Sequence, residues 1–285
     1  MKIAVTGATG KLGQLVVNGL LEKNPSNKII AVVRDQKKAQ PLVKRGVEAR
    51  VAHYGDPVAL KAAFSGVDRL LLISSSEVGQ RTGQHKNVID AAKAAGVKHI
   101  AYTSAPRATT TALVVAPEHK ATEENILQSG MKYTILRNNW YTENYKDRVE
   151  TARKTGTVVA AAGAGRVASA TRADYAAGAV EVLLGTGHEG KIYELSGDHA
   201  WDFNELAETI GEIIGKPVEY KSVDAGTLID ILKGAGFNEG VAGFMAAVDG
   251  NIAEGALSEV TGDLSRLIGR PTTPLKKGLE DAVSK

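Results

Sequence analysis

One glycine pattern limits the folds open to this chain more than any other feature. Residues 2–13 read Lys-Ile-Ala-Val-Thr-Gly-Ala-Thr-Gly-Lys-Leu-Gly, an apolar run that meets Gly7, Gly10 and Gly13 in the order G-x-x-G-x-x-G. Leu12, Leu15, Val16, Leu20 and Leu21 then recur on one helical stripe. Strand, tight turn and helix in that order are the setting in which these glycines have a purpose. Gly7 turns the chain through angles closed to other residues. Gly10 lets the backbone approach a pyrophosphate, and Gly13 lets the helix pack against the strand. The N–H groups of the helix start, aided by its dipole, then face the phosphates of a dinucleotide.

The rest of the chain suits that reading. It has 285 residues, 43% hydrophobic and 24% charged, which predicts one large α/β domain or a domain with a lobe. A net charge of +3 is too small to argue for nucleic acid, and few aromatics are present to stack bases. The absence of cysteine excludes disulfides, thiolate catalysis and thiolate metal sites. The N-terminus runs directly into the first strand with no signal-peptide pattern, and no apolar run approaches the ~20 residues of a membrane span. The expectation is a cytoplasmic protein without membrane insertion.

Strands and helices alternate as far as about residue 150. A continuous apolar strand, Lys28–Val33, ends in Arg34 and Asp35. Continuous apolarity suits a parallel strand covered on both faces. At this strand end an acid accepts from the adenosine ribose and favours NAD, whereas an arginine accommodates a 2′-phosphate. Arg34 comes first and its planar fork suits phosphate, with Lys11 as a second positive charge, although Asp35 blurs the choice. A helix over 36–45 and a strand over 47–52 lead to Tyr54, whose ring is placed either beside an adenine or in plain loop packing. Further alternation gives a helix over 57–64, a strand over 69–73, a helix over 80–95, a strand over 98–103, a helix around 118–127 and a strand over 133–136. Ser75, Ser76 and Glu77 follow one strand end, where small polar residues suit a ribose. Residues 137–145 (RNNWYTENY) form the densest polar-aromatic cluster and are read as a site wall.

Past residue 150 the alternation loosens. A short strand over 156–162, a turn at 163–166, a helix capped by Thr171, a strand Lys191–Leu195, a helix behind N-cap Asp202, an extended piece over 216–220 and mostly helix from 225 onward are expected. The predicted organisation is a Rossmann-like, doubly wound parallel α/β sheet with a smaller, mostly helical C-terminal lobe. Residues 1–150 form the dinucleotide-binding domain, segments within about 151–195 return to it, and 196–285 form the substrate-side lobe.

The stretches TGATGKLG (6–13), IIAVVR (29–34), LLLISSSEVGQR (70–81), AAKAAGVKHIAYTS (91–104), LRNNWYTENY (136–145), ASATRADYAAGA (168–179) and LIGRPTTPL (267–275) resemble the NmrA-like branch of the atypical short-chain dehydrogenase/reductases. Within it the likeness is greatest to bacterial NADPH:quinone oxidoreductases of the quinone oxidoreductase 2 type; triphenylmethane reductase shares several stretches. The resemblance implies NADP(H) as cofactor, NADPH preferred over NADH, and a C-terminal lobe closing a substrate cleft. It implies that Gly7, Ala8, Thr9, Gly10, Lys11, Leu12 and Arg34 hold the phosphates. Ser75, Ser76 and Glu77, with Asn139, Trp140, Tyr141 and Asn144, line the nicotinamide end, and Arg172 lies near the cofactor. Trp140 and Asn144 are the candidates for holding a quinone.

One departure from the wider family bears on mechanism. Short-chain dehydrogenases use a Tyr-x-x-x-Lys pair, but the corresponding helix here has His119 and Glu123 at those positions. Alcohol dehydrogenation loses its acid, and His119 is left as a weak candidate. A quinone needs less help, because hydride transfer makes an anion that water protonates, so positioning carries most of the catalysis. The alternative is an NADP(H)-binding redox sensor without turnover. Neither the quinone nor the oligomeric state is fixed by the sequence, with a homodimer as one option.

Overall fold

Apolar runs such as residues 29–33 and 70–72 become strands of the large sheet, because both faces of a parallel sheet are covered. The computed structural model describes residues 1–284. Its first half contains β1 (Lys2–Thr6), β2 (Lys28–Val33), β3 (Glu48–Val51), β4 (Arg69–Leu72), β5 (His99–Ser104) and β6 (Lys132–Asn138). Between them run α1 (Lys11–Lys23), α2 (Gln40–Val43), α3 (Pro57–Ala63), α4 (Arg81–Ala94) and α5 (Ala116–Ser129). Later come α6 (Lys146–Thr155), β7 (Thr157–Ala160), β8 (Arg166–Val167), α7 (Arg172–Leu184), β9 (Lys191–Leu195), β10 (Trp201–Asp202), α8 (Phe203–Ile214) and β11 (Glu219–Ser222). The chain closes with α9 (Ala225–Gly234), α10 (Glu239–Ala253), α11 (Asp263–Ile268) and α12 (Leu275–Val283).

The large sheet has seven strands in the order β3-β2-β1-β4-β5-β6-β9, and every pairing from β3 to β6 is parallel. The chain walks outward from β1 to β3, then restarts at β4 on the other side. That reversal puts a topological switch point at the carboxyl ends of β1 and β4, where ligands of such sheets bind. The expected doubly wound parallel fold is therefore present.

The chain divides into two compact units. The first comprises residues 1–109, 115–138 and 172–194. Its core is built from Ile30, Val32, Leu60, Phe64, Leu70, Leu72, Val88, Ile89, Ile100, Tyr102, Ile126 and Ile135. The second comprises residues 110–114, 139–171 and Leu195 onward. There β8 pairs antiparallel with β10 and β7 parallel with β11. Tyr145, Trp201 and Phe203 pack edge to face, with ring centroids 4.8 to 6.2 Å apart. Asp202 caps α8 as expected, accepting from Asn204 and Glu205 N–H at 2.9 and 3.0 Å, while Glu205 reaches back to the Asp202 N–H. Residues 139–171 thus cluster with the second unit, and 172–194 are the late segment that clusters with the first. Among the described residues no helix is long and apolar enough to cross a membrane.

Three local expectations fail for physical reasons. The helix expected over 36–45 is only a 3-10 turn at Lys37–Ala39 followed by one turn of α2. Pro41 lacks an N–H and fits only in a first turn, so no longer helix passes through it. Helix α6 was not expected, because it buries only Val149 and Ala152 and shows no strong apolar period. The extended piece expected at 216–220 forms later, as β11, where Glu219 finds a partner in Thr157.

Candidate functional site

In the first unit the carboxyl ends of β1, β2 and β4 gather much of the predicted site. Gly7 takes φ +58°, a left-handed value strained for residues with a Cβ. The Gly10 N–H donates to the Gly7 carbonyl at 2.9 Å and closes the turn. Gly10 is also the N-cap of α1, with no side-chain cap and no acidic residue in the first turn. The helix therefore opens on N–H groups with no carboxylate in their way, which favours an anion. Gly13 is required by the tightest approach in the turn: a Cβ there would lie 2.3 Å from the Gly7 carbonyl oxygen and 2.7 Å from Ala8 Cα. Ala8 and Leu12 are buried, Thr9 is half-buried, and Lys11 is exposed.

The buried Thr6 hydroxyl ties two strand ends together. It accepts from the Ile73 N–H at 3.0 Å and donates to the Leu71 carbonyl at 3.2 Å. The Tyr54 hydroxyl lies 2.5 Å from Thr6 Oγ1 and 2.9 Å from the Ile73 carbonyl. Burial pushes its phenol up, so it stays protonated. Tyr54 thus has a structural task at the strand ends, whichever use its ring has.

Arg34 and Asp35, ambiguous in sequence, point to different partners. The Asp35 carboxylate accepts from the Lys37 N–H at 2.8 Å within its own turn. Arg34 donates from Nη1 to Glu77 Oε1 at 2.8 Å, and Gln84 Nε2 donates to the second Glu77 oxygen at 2.6 Å. Ser75 is fastened at both ends of its backbone. Its N–H donates to His85 Nε2 at 3.0 Å, and its carbonyl accepts from Arg81 Nε at 2.7 Å. Ser75 Oγ in turn accepts from the Glu77 N–H at 3.1 Å, and Ser76 is exposed.

Behind this turn lies a buried polar network that fixes the state of His119. Arg81 can only donate, so its contact of 3.3 Å to His119 Nε2 places the imidazole proton on Nδ1. Nδ1 then donates to the Tyr102 hydroxyl at 2.7 Å. His85 follows the same logic: Nε2 accepts from Ser75, and Nδ1–H donates to Thr122 Oγ1 at 2.9 Å. Burial, reinforced by the Arg81 charge, pushes both histidines down to about 3. His119 is thus neutral near pH 7, with its one proton already committed.

Glu123, where a dehydrogenase has lysine, is built into a buried ion pair. Its carboxylate accepts from Arg137 Nε at 2.9 Å, Arg137 Nη2 at 2.6 Å and Ser104 Oγ at 2.6 Å. Arg137 also donates to Glu194 Oε1 at 2.7 Å. Arg172 opens α7 within the same unit and is half-buried.

The remaining predicted residues belong to the second unit. Asn139 is buried and used internally: Oδ1 accepts from the Trp140 N–H at 2.6 Å, and Nδ2 donates to the Leu257 carbonyl at 3.2 Å. Tyr141 forms an isolated parallel bridge with Ala170. Trp140 and Tyr141 are half-buried, and Asn144 is exposed in a 3-10 turn, Thr142–Tyr145.

Sequence reasoning missed Thr6, Arg81, Gln84, His85 and Thr122. A signal existed for two of them. Arg81 and His85 sit on the stripe of α4 that also buries Val88, Ile89 and Ala92. Two polar residues on a buried stripe imply hydrogen-bond partners beneath it.

Comparison with known proteins agrees with this geometry. Residues 7–185 match the NAD(P)H-binding family. Quinone oxidoreductase 2 of Escherichia coli is 49% identical over 277 residues, covering 97% of each chain. The crystal structure of the NADPH-dependent quinone oxidoreductase from Escherichia coli complexed with NADPH superposes with a TM-score of 0.94 at 48% identity, covering 99% of this chain and 98% of that one. Triphenylmethane reductase from Citrobacter sp., complexed with NADP(H), gives a TM-score of 0.95 at 41% identity, covering 98% and 99%. The chain therefore belongs to the NAD(P)H-binding family, in the branch that holds quinone oxidoreductase 2.

Proposed function

We propose that this protein reduces a quinone to a hydroquinone with NADPH, and that no side chain serves as the proton donor. The observation that carries the reading is the fate of the dehydrogenase dyad. The sheet edge for a dinucleotide is intact, but His119 and Glu123 are both committed to buried networks. The high identity to an NADPH-dependent quinone oxidoreductase supports the same acceptor class.

The residues present fit the cofactor. The start of α1 meets a pyrophosphate with N–H groups and no acid. Arg34 offers a guanidinium fork to a 2′-phosphate, and Asp35 is turned away to Lys37. On this reading Gly7 to Leu12 hold the pyrophosphate, and Arg34 with Lys11 holds the 2′-phosphate. Tyr54, Ser75, Ser76, Trp140, Tyr141, Asn144 and Arg172 complete the cofactor contacts, and Trp140 and Asn144 also position the quinone. Glu77, expected at the nicotinamide end, is paired instead with Arg34, and the Asn139 amide is committed to Trp140 and Leu257. The bound cofactor supplies a hydride. The quinone gains that hydride and then one proton from water. The protein's part is placement, which alone is worth several orders of magnitude in rate. The site of action is proposed to be the cytoplasm.

Steady-state consumption of NADPH with a simple benzoquinone tests this. One hydroquinone formed per NADPH consumed is the expected result. Tight NADPH binding without consumption would make the protein a nucleotide-binding regulator instead.

A further inference from the structure

We propose that Glu77 is a specificity-determining residue, a built-in counter-ion that occupies Arg34 until a 2′-phosphate replaces it. The inference rests on the proposed binding of NADPH at the carboxyl edge of the sheet.

Arg34 follows β2 and Glu77, 43 residues later, lies beyond β4. In strand order β1 runs between those two strands, so the ion pair spans the end of β1, where the glycine turn begins. The carboxylate is held in place from several directions. Gln84 donates to its second oxygen at 2.6 Å, and the Glu77 N–H is bonded to Ser75 Oγ at 3.1 Å. Ser75 is itself fastened by His85 at 3.0 Å and Arg81 at 2.7 Å, both of them buried side chains. Glu77 is therefore presented to Arg34 by an anchored turn. Arg34 is the more solvent-exposed member, with 68% of its side chain exposed against 41% for Glu77.

A guanidinium uses the same planar fork for a carboxylate and for a phosphate. Arg34 gives Glu77 one nitrogen, Nη1, and a 2′-phosphate that takes the guanidinium fork competes with Glu77 for it. A cofactor with a 2′-hydroxyl brings no competitor for Arg34 and leaves the pair in place. Neutralising Glu77 removes the competitor for Arg34, so it strengthens NADPH binding alone. The pair is exposed, and the gain is correspondingly modest, about two- to fivefold.

Titration calorimetry of the full chain with NADPH and NADH, in wild type, Glu77→Gln, Arg34→Ala and the double variant, tests the exchange. Glutamine keeps an oxygen for Gln84, so NADH binding serves as the control for an intact site. The expected result is NADPH binding about two- to fivefold tighter in Glu77→Gln, unchanged NADH binding, and no gain where Arg34 is absent. Unchanged NADPH affinity in Glu77→Gln overturns the proposal. So does an equal change for both cofactors, or a gain that persists without Arg34. Failure of the wild-type chain to bind NADPH at all overturns the proposed function instead, and is read from the first titration alone.

Discussion

Glu123→Lys restores the residue that the dehydrogenase pattern places there, and it should damage this protein badly. Glu123 is 2% exposed, and its carboxylate accepts three hydrogen bonds of 2.6 to 2.9 Å, two of them from Arg137. Those bonds, with a further contribution from Glu194, hold the Arg137 guanidinium well above its ordinary range. Removing one partner of a buried ion pair leaves an uncompensated charge and costs about 3–5 kcal/mol. A lysine adds a second cation beside Arg137, which pushes the cost to the upper end of that range. Against a total stability of about 5–15 kcal/mol, the loss is a third or more. Glu123→Gln keeps an acceptor for Arg137 and should lose about 1.5–3 kcal/mol, the worth of a hydrogen bond to a charged group. Urea unfolding of the three proteins measures both losses. A Glu123→Lys protein as stable as wild type, or more stable than Glu123→Gln, would refute the idea that this position has become structural.

Arg34→Ala should weaken NADPH binding by about 1–2.5 kcal/mol: a charge-assisted contact of about 1.5–3, less the small worth of the exposed Glu77 pair given up on binding. NADH affinity should hardly move, and equal losses in titrations with the two cofactors would show that Arg34 does not read the phosphate. Gly13→Ala forces a Cβ against backbone atoms that cannot swing aside, so thermal unfolding should show a loss of about 1–3 kcal/mol, and an unchanged melting profile would contradict the packing described. His85 and His119 are neutral in the fold with values near 3, whereas the unfolded chain takes up protons near 6.5. The unfolded state therefore binds more protons in that window, and stability falls as pH drops through it, by up to about 1.4 kcal/mol per pH unit for each histidine. His119→Gln should shrink the stability difference between about pH 7 and pH 4 by roughly 2–3 kcal/mol in denaturant titrations, and a pH dependence identical to wild type would contradict the buried neutral state.

Much of the fold was legible because single residues decide it locally. Lys28–Val33 could only be a covered strand, Gly7 needed its left-handed turn, and Asp202 marked the start of α8 as its N-cap. What could not be read depends on pairing across the chain. Glu123 and Arg137 are 14 residues apart and Arg34 and Glu77 are 43 apart, and no periodicity announces either pair. Asp35 looked like a rival to Arg34 until its carboxylate was found on the Lys37 N–H. His119 reads as only a weak acid candidate in the sequence, and its contacts to Arg81 and Tyr102, which occupy both nitrogens, lie 38 and 17 residues away. Short strands such as β8 and β10 carry too few residues for an alternating pattern and exist only because they meet each other.

In the proposed reaction, placement, rather than a side-chain acid, carries the hydride to the quinone. Single-turnover hydride transfer from bound NADPH to a benzoquinone, followed across about pH 5 to 9 in wild type and His119→Gln, tests it most directly. The expected result is a wild-type rate without a titrating limb in that range, and a loss of less than about tenfold in His119→Gln once NADPH is saturating. General acid catalysis is worth about 10²–10⁴. A fall beyond a hundredfold in His119→Gln, with one pH limb lost and NADPH binding intact, would make His119 the acid.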